Sequence, residues 1–318
     1  MKTLVTSAVL KAAGFIKKGQ VVAFPTETVF GLGANAFEAQ SVARIFKAKG
    51  RPADNPLIVH ICDLSQLNLV VKKISPQAQI LIDKFFPGPL TLILPKSDAI
   101  APNVSAGLKT VGVRMPDLKL ARDFIKACGV PLAAPSANIS GKPSGTTWQD
   151  VLKDFKGRIP CVLKGKPSEF GMESTVIDCS LSKPKILRLG AITVEELEVV
   201  LGKSLTRKNA VKQNQRIKSP GMKYRHYAPK AIVIPLKNIN VIKDRGASAF
   251  IGLNKNFKIK SVGFKKICHD NTEYAHHLYH FFRECDARGI KFIYCEWPSA
   301  VGLGQTLQDR LLKAAKRL

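Results

Sequence analysis

The chain has 318 residues, 45% of them apolar, and carries 50 Lys plus Arg against 23 Asp plus Glu, a formal net charge of +27. This length favours two domains over one, the apolar share is ample for a core, and no apolar run approaches the ~20 residues of a spanning helix. The charge favours polyanionic company (nucleic acid, nucleotides or an anionic surface), while seven cysteines without a CxxC pair argue against a disulfide frame or zinc site and suit reduced, buried thiols in the cytoplasm.

From the N-terminus, Lys11, Lys17 and Lys18 recur at helical spacing and indicate an amphipathic first helix, not a leader peptide. VVAFPTETVFGLGANA reads as a strand, a turn at Pro25 and a Gly-rich segment. SVARIFKAKG places Val42, Ile45 and Phe46 on one helix face, and Gly50 fits the C-cap. NPLIVHI is a short β-rich run. A helix enters at Ser75 with Pro76 in its first position, PGPLTLILPK is a strand, LKLARDFIKACG a helix, and VPLAAPSAN a strand with its loop. Helices interleaved with apolar strands make residues 1–202 an α/β domain. Residues 203–230, poor in apolar side chains and rich in basic and amide ones, read as a linker. In 231–318, AIVIPL, SAFIGL and KFIYCEW are strands and NTEYAHHLYHFFRECDARG and TLQDRLLKAAKRL are helices, a second small α/β domain.

There is no Walker A sequence and no GxGxxG after a strand, since GKPSGTT at 141–147 has its Gly and Lys in the wrong order. A nucleotide site would therefore be assembled from scattered segments. FPTETVFGLG offers the hydroxyls of Thr26 and Thr28 around Glu27, with Gly31 and Gly33 allowing close backbone approach to a ligand; alone it would pass for a turn. Lys49 and Arg51 flank Gly50, so both heads are able to converge on one anion, Arg by paired hydrogen bonds and Lys as a point charge. His60 sits in an apolar run, where a core role is the commoner one. Arg114 lies in an apolar strand and needs a partner: a buried carboxylate, or a ligand carboxylate or phosphate. APSANISGKPSGTT places Ser136, Asn138, Ser140, Ser144, Thr146 and Thr147 after a strand, a donor density that suits phosphate. GMESTVID adds Glu173, Ser174 and Thr175, and ILRLG adds Arg188. The linker spends Tyr224, Arg225, His226 and Tyr227 together, which flexible spacers seldom do.

PTETVFGLG, KAKGRPADNPLIVHI, FPGPLTLIL, VGVRMP, APSANISGKPSGT, ESTVID and SPGMKYRHYAP occur in the order found in the Sua5/YrdC/YciO family, which this chain resembles. The second unit makes it similar to the longer, Sua5-type members. The resemblance implies a YrdC-like twisted mixed sheet with helices, followed by a small Rossmann-like α/β C-terminal domain. It implies an L-threonylcarbamoyladenylate synthase that uses L-threonine, bicarbonate and ATP and releases pyrophosphate. A partner transferase complex would then pass the threonylcarbamoyl group to adenosine 37 of tRNAs reading ANN codons, giving t6A. The family's KxR and SxN signature falls on Lys49, Arg51, Ser136 and Asn138, the expected catalytic set. ATP is assigned to Arg51, Asn55, Thr110, Ser136, Ser144, Arg188, Tyr224 and His226, and L-threonine to Thr28, His60, Arg114, Ala134 and Ser174. Mg²⁺ would ride on the ATP phosphates without a metal site of protein ligands, because the motifs hold too few carboxylates for a cage.

An in-line attack by an already anionic carbamate depends on positioning and charge neutralisation, which fits blocks rich in cations and hydroxyls and poor in histidine. Linker residues 219–227 would close over the site and exclude water. Two rivals are a non-catalytic RNA-binding protein, for which the net charge suffices, and a carbamoyl-phosphate-handling relative, whose accompanying segments are missing here. His276 and His280 share a helix face, a spacing that permits a metal, but no further ligands accompany them, so packing is the expected role.

Overall fold

A computed structural model describes residues 1–202, 205–207, 227–237, 247–254 and 262–315. Its first unit opens with β1 (Leu4–Thr6), α1 (Val9–Lys17), β2 (Val22–Phe24), β3 (Gly31–Asn35) and α2 (Ala39–Lys49). Then come β4 (Ile58–His60), α3 (Leu67–Val70), α4 (Pro76–Phe85), β5 (Leu90–Pro95), β6 (Thr110–Arg114), α5 (Lys119–Cys128) and β7 (Leu132–Ala134). It closes with α6 (Trp148–Phe155), β8 (Cys161–Leu163), β9 (Thr175–Asp178), β10 (Lys185–Arg188), α7 (Val194–Leu201) and β11 (Thr206–Arg207). The described strands form one mixed sheet in the order β1, β8, β2, β3, β7, β4, β6, β5, β9, β10, β11. Thr206 and Arg207, within the stretch expected to be linker, thus extend the first sheet by pairing parallel to β10.

Local chemistry sets the boundaries. Ser75 accepts the Ala78 amide at 3.2 Å, with Pro76 at the first helical position of α4. Thr193 and Glu196 form a reciprocal capping box on α7. Gly50 ends α2 in the left-handed conformation at φ 60°, where a side chain would be strained, and the Gly50 and Arg51 amides both close on the Phe46 carbonyl. Val42 and Ile45 are fully buried, each worth about 1.5–3 kcal/mol over exposure. Alternation along β2 sends Ala23 to a core shared with Val42 and Ile45, and Phe24 to the opposite one with α1 and α5.

The second unit comprises β12 (Ile232–Leu236), β13 (Ser248–Gly252), β14 (Phe264–Ile267), α8 (Asn271–Ala287), β15 (Phe292–Glu296) and α9 (Gly304–Ala315). Its strands are all parallel, in the order β12, β15, β13, β14, a Rossmann-like arrangement. Helix α8 docks on the first unit through one stripe at helical spacing. His276 Nδ1 lies 2.6 Å from the Glu169 carbonyl, the Tyr279 hydroxyl donates to Glu173, His280 Nδ1 is 3.5 Å from Asp150, and Arg283 donates to Asp154 and to the Pro143 carbonyl. The histidines therefore serve docking, and no cluster of metal-ligating side chains occurs among the described residues. Gly171 lets this contact form, because a Cβ there would lie 2.3 Å from the His276 carbonyl oxygen. All seven cysteines are free and buried. No helix among the described residues is long and apolar enough to cross a membrane.

Candidate active site

The register of four strands brings the predicted blocks to one sheet face. His60 opposes Arg114, Ile58 opposes both Gly112 and Ala134, and Gly31 bridges Ser136. Residues paired across strands point to the same face, as do residues two apart along one strand. Above this row lies a cleft open to solvent. Its wall includes Thr28, His60, Arg114, Ala134 and Ser174, all five residues assigned to threonine. It also includes Arg51, Ser136 and Arg188 from the nucleotide set.

Arg114 sits at the C-terminal end of β6 and is 4% exposed. Its Nη2 donates to Glu27 at 2.5 Å, its Nη1 to the Thr28 hydroxyl at 2.7 Å and its Nε to the Gly88 carbonyl at 3.2 Å. Of the partners considered for it, the buried carboxylate is Glu27, and Arg114 also borders the cleft. Glu27 Oε2 is buried and makes no hydrogen bond. His60 is pushed down to about 3, first by burial and then by the Arg114 charge, so the ring is neutral at physiological pH. Its Nδ1 is 3.3 Å from the Ile58 carbonyl.

Lys49 is placed differently from the expectation that its head shares an anion with Arg51. The ammonium is buried and donates to the carbonyls of Ser136 at 2.5 Å and Asn138 at 2.6 Å, so it braces the loop after β7 and does not line the cleft wall. Burial, reinforced by the nearby Arg51 charge, holds its pKa well below the ordinary lysine value. Arg51 does border the cleft, and its guanidinium grips the carbonyls of Asn55 at 3.2 Å and Pro56 at 3.1 Å. Asn138 also lies behind the wall: its Oδ1 accepts from the Ser136 hydroxyl at 2.6 Å and its Nδ2 donates to the carbonyls of Ile139 and Lys142.

Three residues of the nucleotide set do not border the cleft. Asn55 is buried, and its Oδ1 makes no hydrogen bond. Ser144 is buried and donates to Glu173 at 2.7 Å. Thr110 opens β6, on the same face as Gly112 and Arg114 but at the other end, about 13 Å from Arg114 along the strand. That end runs beside Pro56, the residue whose carbonyl Arg51 holds. Tyr224 and His226 lie outside the described residues.

Gly31 and Gly33 serve the core more than a ligand. The Phe24 ring packs over both: a Cβ would come within 3.0 Å of it at Gly31 and 2.9 Å at Gly33, although Gly31 also borders the cleft. Eight wall residues have no catalytic, ATP or threonine assignment; among them, Tyr227 ends the segment expected to close over the site, and Glu173 is the neighbour of Ser174 in its motif. Arg188 donates by Nε and Nη2 to the Ser174 carbonyl, and by Nη2 to its hydroxyl. The side chains able to touch an anion, Arg51, Arg114 and Arg188, thus reach the cleft from three separate strands and loops. Among the described residues, the wall carboxylate Glu173 and the neighbouring Glu27 are each paired with an arginine.

The Sua5/YciO/YrdC family model, described by the words "Telomere recombination", matches residues 14–190, and the model of the threonylcarbamoyl-AMP synthase C-terminal domain matches 192–316. A threonylcarbamoyl-AMP synthase of Pyrococcus abyssi is 44% identical, covering 96% of this chain and 93% of its own. One of Bacillus subtilis is 43% identical over 96% and 92%. The crystal structure of P. abyssi Sua5 complexed with L-threonine superposes with a TM-score of 0.89 at 40% identity, covering 99% of this chain and 97% of that one.

Proposed function

The chain belongs to the Sua5/YciO/YrdC family, and on that premise we propose that it is a threonylcarbamoyl-AMP synthase, acting on L-threonine, bicarbonate and ATP as a nucleotidyltransferase that supplies t6A formation at position 37 of ANN-reading tRNAs. The observation that carries this reading is the convergence of Arg51, Arg114, Arg188, Ser136 and Ser174 on one cleft from segments far apart in sequence.

L-threonine occupies the end bounded by Thr28, His60, Arg114, Ala134 and Ser174, its carboxylate toward Arg114. A neutral His60 adds no second cation there and offers a ring nitrogen to the hydroxyl or amine. ATP lies toward Arg51, Ser136 and Arg188, with Asn55, Thr110 and Ser144 behind them and Tyr224 and His226 closing from the linker. Bicarbonate and the threonine amine give a carbamate and water. A carbamate oxygen then bonds to the α-phosphorus while the bond from that phosphorus to the bridging oxygen breaks, and pyrophosphate leaves with the electron pair. The arginines neutralise the charge that builds on the phosphates, and Lys49 and Asn138 keep the Ser136 loop in place. Mg²⁺ would be held by the ATP phosphates and would add to their charge neutralisation, since Glu27 and Glu173 beside the cleft are committed to arginines.

Residues 1–202 act as the catalytic domain, 203–230, beyond the Thr206–Arg207 strand that joins the first sheet, as the segment that shields the mixed anhydride from water, and 231–318 as the C-terminal domain; in support, Tyr227 borders the cleft. The work is cytoplasmic, and a transferase complex, with tRNA, takes the product. The test is pyrophosphate release with each substrate omitted in turn. A threonine- and bicarbonate-dependent burst supports the reading; release indifferent to threonine overturns it, and salt-sensitive RNA binding without release supports the non-enzymatic rival.

A further inference from the structure

Among the described residues, Glu173 is the one cleft residue whose carboxylate is held from the other unit. It is 6% exposed, at the turn entering β9. Oε1 accepts from the Ser144 hydroxyl at 2.7 Å, and Oε2 accepts from the Tyr279 hydroxyl at 3.0 Å and from Arg310 Nε at 3.1 Å. Arg310, on α9, is fully buried yet does not border the cleft. Its Nη2 donates to the Leu189 carbonyl at 2.8 Å, one residue after Arg188, and its guanidinium lies 4.9 Å over the Tyr227 ring, which stacks on Tyr279 at 5.4 Å. Thr306, one helical turn earlier, donates to the Gly190 carbonyl at 2.9 Å.

We propose that Arg310 is a positioning residue for the nucleotide half of the site, acting through Glu173 on Ser144 and through the Leu189 carbonyl on Arg188. This rests on the synthase reading for the roles of Ser144 and Arg188, and it gives the C-terminal domain a task. A buried carboxylate with Ser144 as its sole partner would be free to swing; two donors from α8 and α9 fix it in one rotamer, and the hydroxyl with it. Helix α9 also grips the backbone on both sides of Gly190, where a Cβ would lie 2.3 Å from the Ser174 carbonyl carbon, so the turn after Arg188 is seated against Ser174 without slack. Arg114, on the threonine side, is instead held within the first unit, by Glu27, Thr28 and Gly88.

The test uses the full chain. Arg310→Met alone strands a buried carboxylate and is expected to destabilise the fold, so it is paired with Glu173→Gln, which removes both charges. The double variant should melt within a few degrees of the parent. It should bind a non-hydrolysable ATP analogue at least tenfold more weakly by calorimetry and raise KM for ATP to match, with KM for L-threonine changed less than twofold. Arg310→Lys, which keeps the charge beside Glu173 but loses the second arm to Leu189, should fall between. Unchanged analogue affinity in a double variant of parental stability overturns the proposal, as does an equal loss toward ATP and threonine. If the double variant fails to fold, Tyr279→Phe decides: it removes one hydroxyl from the same carboxylate and should give the same split at two- to fivefold, and no split overturns the proposal. A parent chain that binds the analogue but releases no threonine-dependent pyrophosphate would instead sink the synthase reading, while the effect of Arg310 on nucleotide affinity would still be readable.

Discussion

Arg114 and Glu27, 87 residues apart in sequence, meet at 2.5 Å with both side chains at most 5% exposed. In the proposed reading the threonine carboxylate docks at this pair, where the protein already carries a negative charge, and it would share the guanidinium with Glu27.

That sharing predicts a linkage. Glu27→Gln leaves Arg114 buried without its counter-charge and should destabilise the free protein by about 3–5 kcal/mol. Threonine would then replace part of the lost charge, so the threonine-induced rise in melting temperature should be larger in the variant than in the parent. Thermal melts with and without L-threonine check this; an equal or smaller rise would show that the substrate carboxylate does not meet Arg114.

The Lys49 ammonium is expected to act through the loop it holds. Lys49→Met leaves the carbonyls of Ser136 and Asn138 without their donor, a cost of about 1–3 kcal/mol for each left unsatisfied. Threonine-dependent pyrophosphate release should fall by about 100-fold or more, the scale of losing one pre-organised group of a charged site. Binding of free L-threonine should hold within a few-fold, because the threonine end is built elsewhere. Loss of threonine binding on the same scale, in calorimetry, would contradict this division.

How much of this was legible in the sequence depends on distance along the chain. Helix α2 and its Gly50 cap could be read locally, since Val42 and Ile45 repeat at helical spacing and Gly50 has the conformational freedom that the cap requires. The cleft was legible only as a set of blocks. Nothing local said that Lys49 turns inward to two carbonyls while Arg51 faces out, because that choice is made by the loop after β7. Gly31 and Gly33 read as allowing close approach to a ligand, and Gly31 does border the cleft, but both also make room for Phe24, a partner seven and nine residues away across a hairpin. Arg310 carried no signal at all: its partner Glu173 lies 137 residues away.

His60 gives a pH dependence of known sign. Its folded pKa, about 3, lies below the 6.5 of the free side chain, so the unfolded chain binds a proton that the native one refuses. Its contribution to stability is complete above pH 6.5 and is lost as pH falls toward 3. Between pH 6.5 and 5, where ordinary carboxylates hardly titrate, the parent should lose up to about 2 kcal/mol from this group. His277, pushed down to about 4 by its partial burial, slopes the same way, so His60→Gln should make that interval shallower in denaturant melts without flattening it; an unchanged slope would place the titration elsewhere.

Seven buried thiols predict slow chemistry. Burial pushes Cys128, Cys179, Cys268 and Cys285 up to about 12 and Cys62 and Cys161 up to about 11, so thiolate is scarce at neutral pH. A chromogenic disulfide should label none of them within minutes in the folded protein and all seven in denaturant. Rapid labelling of a native thiol would mean that a core segment opens readily.

The union of threonine, bicarbonate and ATP in one cleft is tested most directly by mass spectrometry with ¹³C-bicarbonate. The expected product is a threonylcarbamoyl adenylate one mass unit heavier than that made from ordinary bicarbonate. It should form only with all three substrates present and be sharply reduced in Arg51→Ala and Arg188→Ala. An adenylate without the heavy carbon, or equal yield from the arginine variants, would contradict the assembly of one reaction from these scattered side chains.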